Sequence, residues 1–200
     1  MPNGLPVVLQ LEDVPCLVLG TNAEAESKAE MLERAGAAVT RLDSYHPGCL
    51  KGFTLAIAAL DHRYLNPVIF REAAQLNVLL NCVDDPPHCR FILASVFERG
   101  RLQVAVSTGG ACPALAVRLR EKLEQELGPE YAAFLEIARN LRDEIASRVP
   151  DFNRRRALWY DLVDSPALQL LAENKPEQAL QELKLRIRRA SQEAAHAPGH

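Results

Sequence analysis

Two hundred residues, 48% of them hydrophobic, allow one compact domain or two small ones sharing a core. The formal net charge of −3 argues against a chain built to hold nucleic acid, and no apolar run is long enough to span a membrane. Met1-Pro2-Asn3-Gly4 lacks the charged and apolar parts of a secretion signal. Five scattered cysteines (16, 49, 82, 89, 112) without a CxxC pair support neither a zinc site nor a disulfide framework, so a reducing, cytoplasmic setting is expected.

In chain order, Leu5 to Leu11 alternates loosely and reads as an edge strand. Val14 to Gly20 is a short apolar run closed by glycine, the pattern of a buried parallel strand. Thr21 to Ala35 follows as a helix with Ala25, Ala29, Leu32 and Ala35 near one face, and Gly36 ends it. Ala37 to Leu42 is a second strand, which completes a βαβ unit and implies a parallel sheet. From Asp43 to Phe53 the chain holds Pro47, Gly48 and Gly52, all poor for helix. This stretch can traverse the sheet in extended form but cannot fit a further strand and helix, so the sheet is small. Thr54 to Ala59 is the next buried strand, and Tyr64 to Gln75 a helix with Leu65, Val68, Ile69 and Ala73 inward. Val78 to Val83 is the last parallel strand, ending in Asp84-Asp85-Pro86.

A hairpin-like pair comes next, Phe91–Phe97 and Leu102–Ser107, joined by Glu98-Arg99-Gly100-Arg101. Ser107-Thr108-Gly109-Gly110-Ala111-Cys112 then runs into a helix over Pro113–Glu126, with Leu115, Leu119 and Leu123 on one stripe. Gly128-Pro129 breaks it. The rest is helical: Tyr131–Arg148, Phe152–Val163, Pro166–Glu173 and Pro176–Ala190, with a frayed tail from Ser191 to His200.

Three places carry candidate chemistry. A dinucleotide turn wants G-x-G-x-x-G/A between strand and helix, and Gly20-Thr21-Asn22-Ala23-Glu24-Ala25 keeps the first glycine and the final alanine. Asn22 replaces the central glycine and Glu24 adds negative charge, so a plain strand–helix turn is an equal reading. Asp43 lies at the distance that would hold an adenosine ribose. Asp84 ends a buried strand, where open α/β sheets place their chemistry. It is either a general base or a loop acid before Pro86. Ser107 and Thr108 could hydrogen-bond a carboxylate, with Gly109 and Gly110 admitting it to the backbone; helix capping is the other reading. His46, His62 and His88 form no ligand spacing, so no metal site is expected. His88 is the histidine nearest Asp84 in sequence.

These residues resemble the precorrin-2 dehydrogenase/sirohydrochlorin ferrochelatase family, the N-terminal module of siroheme synthase. The resemblance rests on Cys16-Leu-Val-Leu-Gly20, Lys28-Ala29, Ala35-Gly36-Ala37, Leu55-Ala-Ile-Ala-Ala59 with Asp61 and Asn66, and Asn81-Cys-Val-Asp84. It continues in Val104-Ala-Val-Ser-Thr-Gly-Gly110, Pro113-Ala-Leu-Ala116, Leu119-Arg-Glu-Lys-Leu123 and Arg154-Arg155-Arg156 with Trp159. It implies an α/β fold in three parts: a shortened Rossmann-like NAD-binding domain (1–93), a central β-hairpin/helix dimerisation element (94–128) and a helical C-terminal domain (129–200).

The implied activity is NAD-dependent oxidation of precorrin-2 to sirohydrochlorin by a homodimer, with iron as a substrate metal where chelation to siroheme follows. The alternative is a chelatase, or a non-catalytic tetrapyrrole-binding protein, that has lost the NAD step. The family's aspartate falls on Asp84. Its cofactor side falls on Gly20, Asn22, Ala23, Glu24, Asp43, Ser44 and Asp61. Its substrate side falls on Ser107, Thr108, Gly109, Gly110 and Arg118. Precorrin-2 carries many carboxylates, so Arg118, Arg120, Arg154, Arg155 and Arg156 are candidates for a cationic lining. Trp159 reads as core rather than as a platform for a macrocycle.

Overall fold

The computed structural model describes residues 4–196, and the side chains of residues 4–193. The chain divides into two compact units: Met1–Leu93 with the loop Ser107–Cys112, and Ala94–Val106 with Pro113–His200.

In the first unit, four apolar runs become β1 (Pro15–Leu19), β2 (Ala38–Leu42), β3 (Leu55–Ala58) and β4 (Leu79–Cys82), all parallel, in the order β2-β1-β3-β4. Their period-2 alternation splits the core into two layers. Leu17, Leu19, Ala56, Ala58, Leu80 and Cys82 face Ile69 and Ala73 of α2 (Asn66–Leu76). Cys16, Val18, Leu55 and Ile57 face Ala25, Ala29 and Leu32 of α1 (Ala23–Arg34). Gly36 adopts φ +84 just past α1, as a left-handed helix stop requires.

Asp43 to Thr54 crosses from β2 to β3 without a strand or helix, as expected. The carboxylate of Glu72 on α2 holds it down. That group accepts from the Tyr45 hydroxyl at 2.6 Å and from the N–H groups of Gly48 at 3.1 Å and Leu50 at 3.2 Å. Leu50 is fully buried beneath it.

Three expectations are corrected. Leu5–Leu11 forms no strand: Pro6 lacks a donor, and Leu5, Val7 and Val8 are 82%, 64% and 70% exposed, so the alternation has no face to bury. Phe91–Ala94 does not join the hairpin. It covers the edge of β4 instead, with Arg90 N–H donating to Leu80 O at 2.7 Å and Asn81 Nδ2 to Phe91 O at 2.9 Å. The last helix runs on to His196 rather than fraying from Ser191; Ala197 to His200 lie outside the described residues.

The second unit begins with the hairpin β5 (Ser95–Arg99) and β6 (Leu102–Val106), whose two-residue turn puts Gly100 first at φ +56. Then come α3 (Pro113–Glu126), α4 (Pro129–Arg148), α5 (Phe152–Val163), α6 (Ala167–Ala172) and α7 (Pro176–His196). Phe134, Leu141, Ile145, Leu158, Leu162, Ala179, Leu183 and Ile187 make the shared core of α4, α5 and α7, and Trp159 packs against it half-buried. Among the described residues no helix is long and apolar enough to cross a membrane.

Candidate active site

The sheet order changes direction between β1 and β3, so the crevice of this open sheet lies at their carboxyl ends. Gly20 opens it at φ +124, its N–H donating to Leu42 O at 2.9 Å. A Cβ there would stand 2.4 Å from Ala59 O, so this glycine is required by the approach of β3.

Asn22 does two things at the crevice. Its Oδ1 caps α1 by accepting from Ala25 N–H at 2.9 Å. Its Nδ2 bridges to the end of β3, donating to Ala59 O at 2.9 Å and Asp61 Oδ1 at 2.8 Å. The sequence shows an asparagine in a glycine's place; the bridge to Asp61 is visible only in three dimensions. Asn22→Ala is therefore expected to lower stability by about 1–2 kcal/mol, whereas Asn22→Gly costs the cap only a few tenths, as urea unfolding would show.

The turn retains features a dinucleotide uses. The cap leaves the N–H groups of Ala23 and Glu24 without an intrahelical acceptor. The acids nearby are paired with cations, Glu24 with Lys28 at 3.2 Å and Glu26 with Arg41 at 2.7 Å, which lessens their repulsion of a phosphate. Asp43 and Ser44 follow β2 directly and are exposed. These residues fit NAD through the free N–H groups of Ala23 and Glu24, while both Asn22 Nδ2 protons are already given to Ala59 and Asp61.

At the end of β4 the paired acids part company. Asp84 adopts the left-handed conformation, φ +57, and its side chain is 76% exposed, with Arg63 at 3.3 Å. Asp85 turns back onto the protein, where Asn66 Nδ2 and His88 Nδ1 both lie 2.8 Å from Oδ2. The bond from Asn66 holds the Asp85 carboxyl below its ordinary value; burial opposes this, and His88 and Arg63 reinforce it. His88 thus belongs to Asp85. Arg63, which precedes α2 and meets Asp84, is a residue that sequence reasoning misses, because a cation shortly before a helix gives no signal of its own.

The loop Ser107–Cys112 belongs to the same compact unit as Asp84. Gly109 and Gly110 take φ +61 and +81, and a Cβ on Gly110 would meet nothing within 4 Å. Ser107 Oγ accepts from Gly109 N–H at 3.2 Å, and Thr108 Oγ1 from Cys112 N–H at 3.1 Å. Each hydroxyl proton stays available to a ligand acceptor, so capping and carboxylate binding are compatible.

Of the candidate arginines, Arg118 is 82% exposed and pairs with Glu121 at 2.9 Å, and Arg120 pairs with Glu124. Arg154 reaches Glu193 O at 3.5 Å. Arg155 donates to the carbonyls of Val149 at 3.0 Å and Pro150 at 2.8 Å, and Arg156 lies over Tyr160. Burial raises the thiol of Cys16 and pushes that of Cys82 up to about 12, as expected of cysteines inside strands.

Three family models match in succession: "Putative NAD(P)-binding" over residues 42–95, "Sirohaem biosynthesis protein central" over 99–126 and "Sirohaem synthase dimerisation region" over 130–187. The first match begins at the end of β2, beyond the altered Gly20 turn. Siroheme synthase 1 of Pectobacterium atrosepticum is 36% identical over 206 aligned residues, covering 92% of this chain and 43% of that protein. Siroheme synthase of Photobacterium profundum is 36% identical over 200, covering 90% and 43%. The solved structure of SirC, precorrin-2 dehydrogenase, has the same fold, with a TM-score of 0.72 at 20% identity, covering 91% of this chain and 100% of that one. The chain spans less than half the length of these siroheme synthases. Because the three models fall in order along one chain, and the relatives align across nine-tenths of it, this protein belongs to the siroheme synthase family.

Proposed function

We propose that the protein is a dehydrogenase of siroheme biosynthesis, oxidising precorrin-2 to sirohydrochlorin as a homodimer. The alignment to siroheme synthases over nine-tenths of the chain carries this reading. Bound NAD supplies the hydride acceptor. Gly20, Asn22, Ala23 and Glu24 would hold its phosphates and Asp43 and Ser44 its ribose, with Asp61 at the end of β3. Asp84 takes the proton that leaves the macrocycle as the hydride departs, which an exposed carboxylate at the open edge of the sheet can do. Ser107 and Thr108 donate to a substrate carboxylate, and Gly109 and Gly110 leave it room. The segment matched by the dimerisation-region model, 130–187, supports the homodimer.

Iron insertion into the product is a second activity of the same site, with Asp84 accepting pyrrole protons. Asn22 favours a narrower reading, chelation without dehydrogenation, because its side chain fills part of the space where a pyrophosphate would approach the turn. Anaerobic incubation with precorrin-2, with and without NAD, separates the two by absorbance. The expected result is sirohydrochlorin formed only with NAD, and faster in Asn22→Gly. No oxidation in either protein, with iron insertion retained, selects chelation alone.

A further inference from the structure

The carboxyl end of β3 runs into a tract whose alternate residues reach both halves of the candidate site. Asp61 accepts from Asn22 Nδ2 at 2.8 Å, which ties it to the turn after β1. Arg63 lies 3.3 Å from Asp84, which ties it to the acid after β4. His62 and Tyr64 alternate with these two. Their rings stack, with centroids 5.6 Å apart and planes at 30°. That separation is within the range where offset aromatic pairs attract. Yet Tyr64 is 74% exposed. An aromatic ring contributes most when its apolar body leaves water, and stacking on one exposed histidine leaves most of this one wet.

The sheet sets the direction of a dinucleotide across the crevice. The pyrophosphate belongs at the start of α1, and the adenosine ribose at Asp43 after β2. The nicotinamide half then extends to the other side of β1, past β3 and toward β4. It has to end near Asp84, because the hydride and the proton leave the same substrate. Asp61 to Tyr64 is the tract that the chain places between the turn and that acid.

We propose that Tyr64, backed by His62, is the stacking platform for the nicotinamide ring of NAD. The inference rests on NAD being the hydride acceptor. The oxidised ring is flat and cationic, so it gains from the electron-rich face of a tyrosine as well as from leaving water. His62 orders the Tyr64 ring before the cofactor arrives, which lowers the cost of binding. Arg63, the cation between them, is offset by Asp84.

The test compares NAD with ADP-ribose, which keeps the adenosine, the phosphates and the second ribose but lacks the nicotinamide. Binding of each to the full chain is measured by calorimetry with no substrate present, so turnover plays no part. In Tyr64→Leu the dissociation constant for NAD is expected to rise about five- to tenfold, and that for ADP-ribose to stay within about twofold. Tyr64→Phe keeps the ring and is expected to hold NAD within about twofold of the unsubstituted protein. Circular dichroism checks that both variants are folded.

Equal weakening of NAD and ADP-ribose in Tyr64→Leu overturns the proposal and gives Tyr64 to the adenosine half or to the fold. Unchanged NAD affinity in that variant overturns the platform while the NAD reading stands, and a raised KM for precorrin-2 then gives the aromatic pair to the macrocycle. An unsubstituted protein that binds neither compound overturns the NAD reading itself and the platform with it.

Discussion

Asp84→Asn is expected to lower precorrin-2 oxidation by about 10²–10⁴-fold, the range for removing a general base, while leaving stability within about 0.5 kcal/mol. The choice of asparagine matters because Asp84 sits at φ +57. Asparagine tolerates that conformation nearly as well as aspartate, whereas alanine would add backbone strain and blur the reading. The ion pair with Arg63, which the substitution removes, is exposed on both sides and contributes little. Turnover near that of the unsubstituted protein, with the same unfolding midpoint, would remove Asp84 from the chemistry and leave it a loop acid. Asp85→Asn should behave in the opposite way, because that carboxylate accepts from Asn66 and meets His88 inside the fold. Its main effect falls on stability rather than on turnover.

The contrast between these neighbours shows what the residues alone can and cannot convey. Four short apolar runs are enough to lay out a parallel sheet, because strands buried on both faces have little freedom to be anything else. The crossover after Asp43 is legible from its length and its prolines and glycines. Which of two adjacent acids faces outward is not, since that depends on a left-handed turn at Asp84 and on a partner 19 residues away at Asn66. Asn22 stands out as a departure from a fingerprint, but its reach to Asp61 spans 39 residues and needs the sheet to be assembled first. Leu5–Leu11 misleads for the converse reason: alternation predicts a strand only where a sheet edge and a core face are there to receive it. Trp159 reads as core and does pack there.

Glu72→Ala should cost about 2–4 kcal/mol, and it acts on the crossover rather than on its own helix. Three donors converge on that carboxylate, the Tyr45 hydroxyl and the Gly48 and Leu50 N–H groups. A segment with no strand or helix of its own depends on such bonds for its shape. Removing the acceptor leaves the donors of a partly buried loop unsatisfied and loosens Leu50 from the core. Burial alone would raise the Glu72 carboxyl, but these donors outweigh it and hold the group below its ordinary value. The sign of the pH effect follows: stability from Glu72 is complete above the unfolded-state value of about 4.3 and is lost as pH falls through the lower folded value. Glu72→Gln should therefore flatten the acid limb of a stability–pH curve. The same bonds leave the Tyr45 hydroxyl pushed up to about 12, with burial its largest cause. Tyr45→Phe should remove only part of the Glu72 effect, about 1 kcal/mol, because the two backbone donors remain. Equal acid limbs in Glu72→Gln and the unsubstituted protein would mean that packing of Leu50 alone holds the crossover in place.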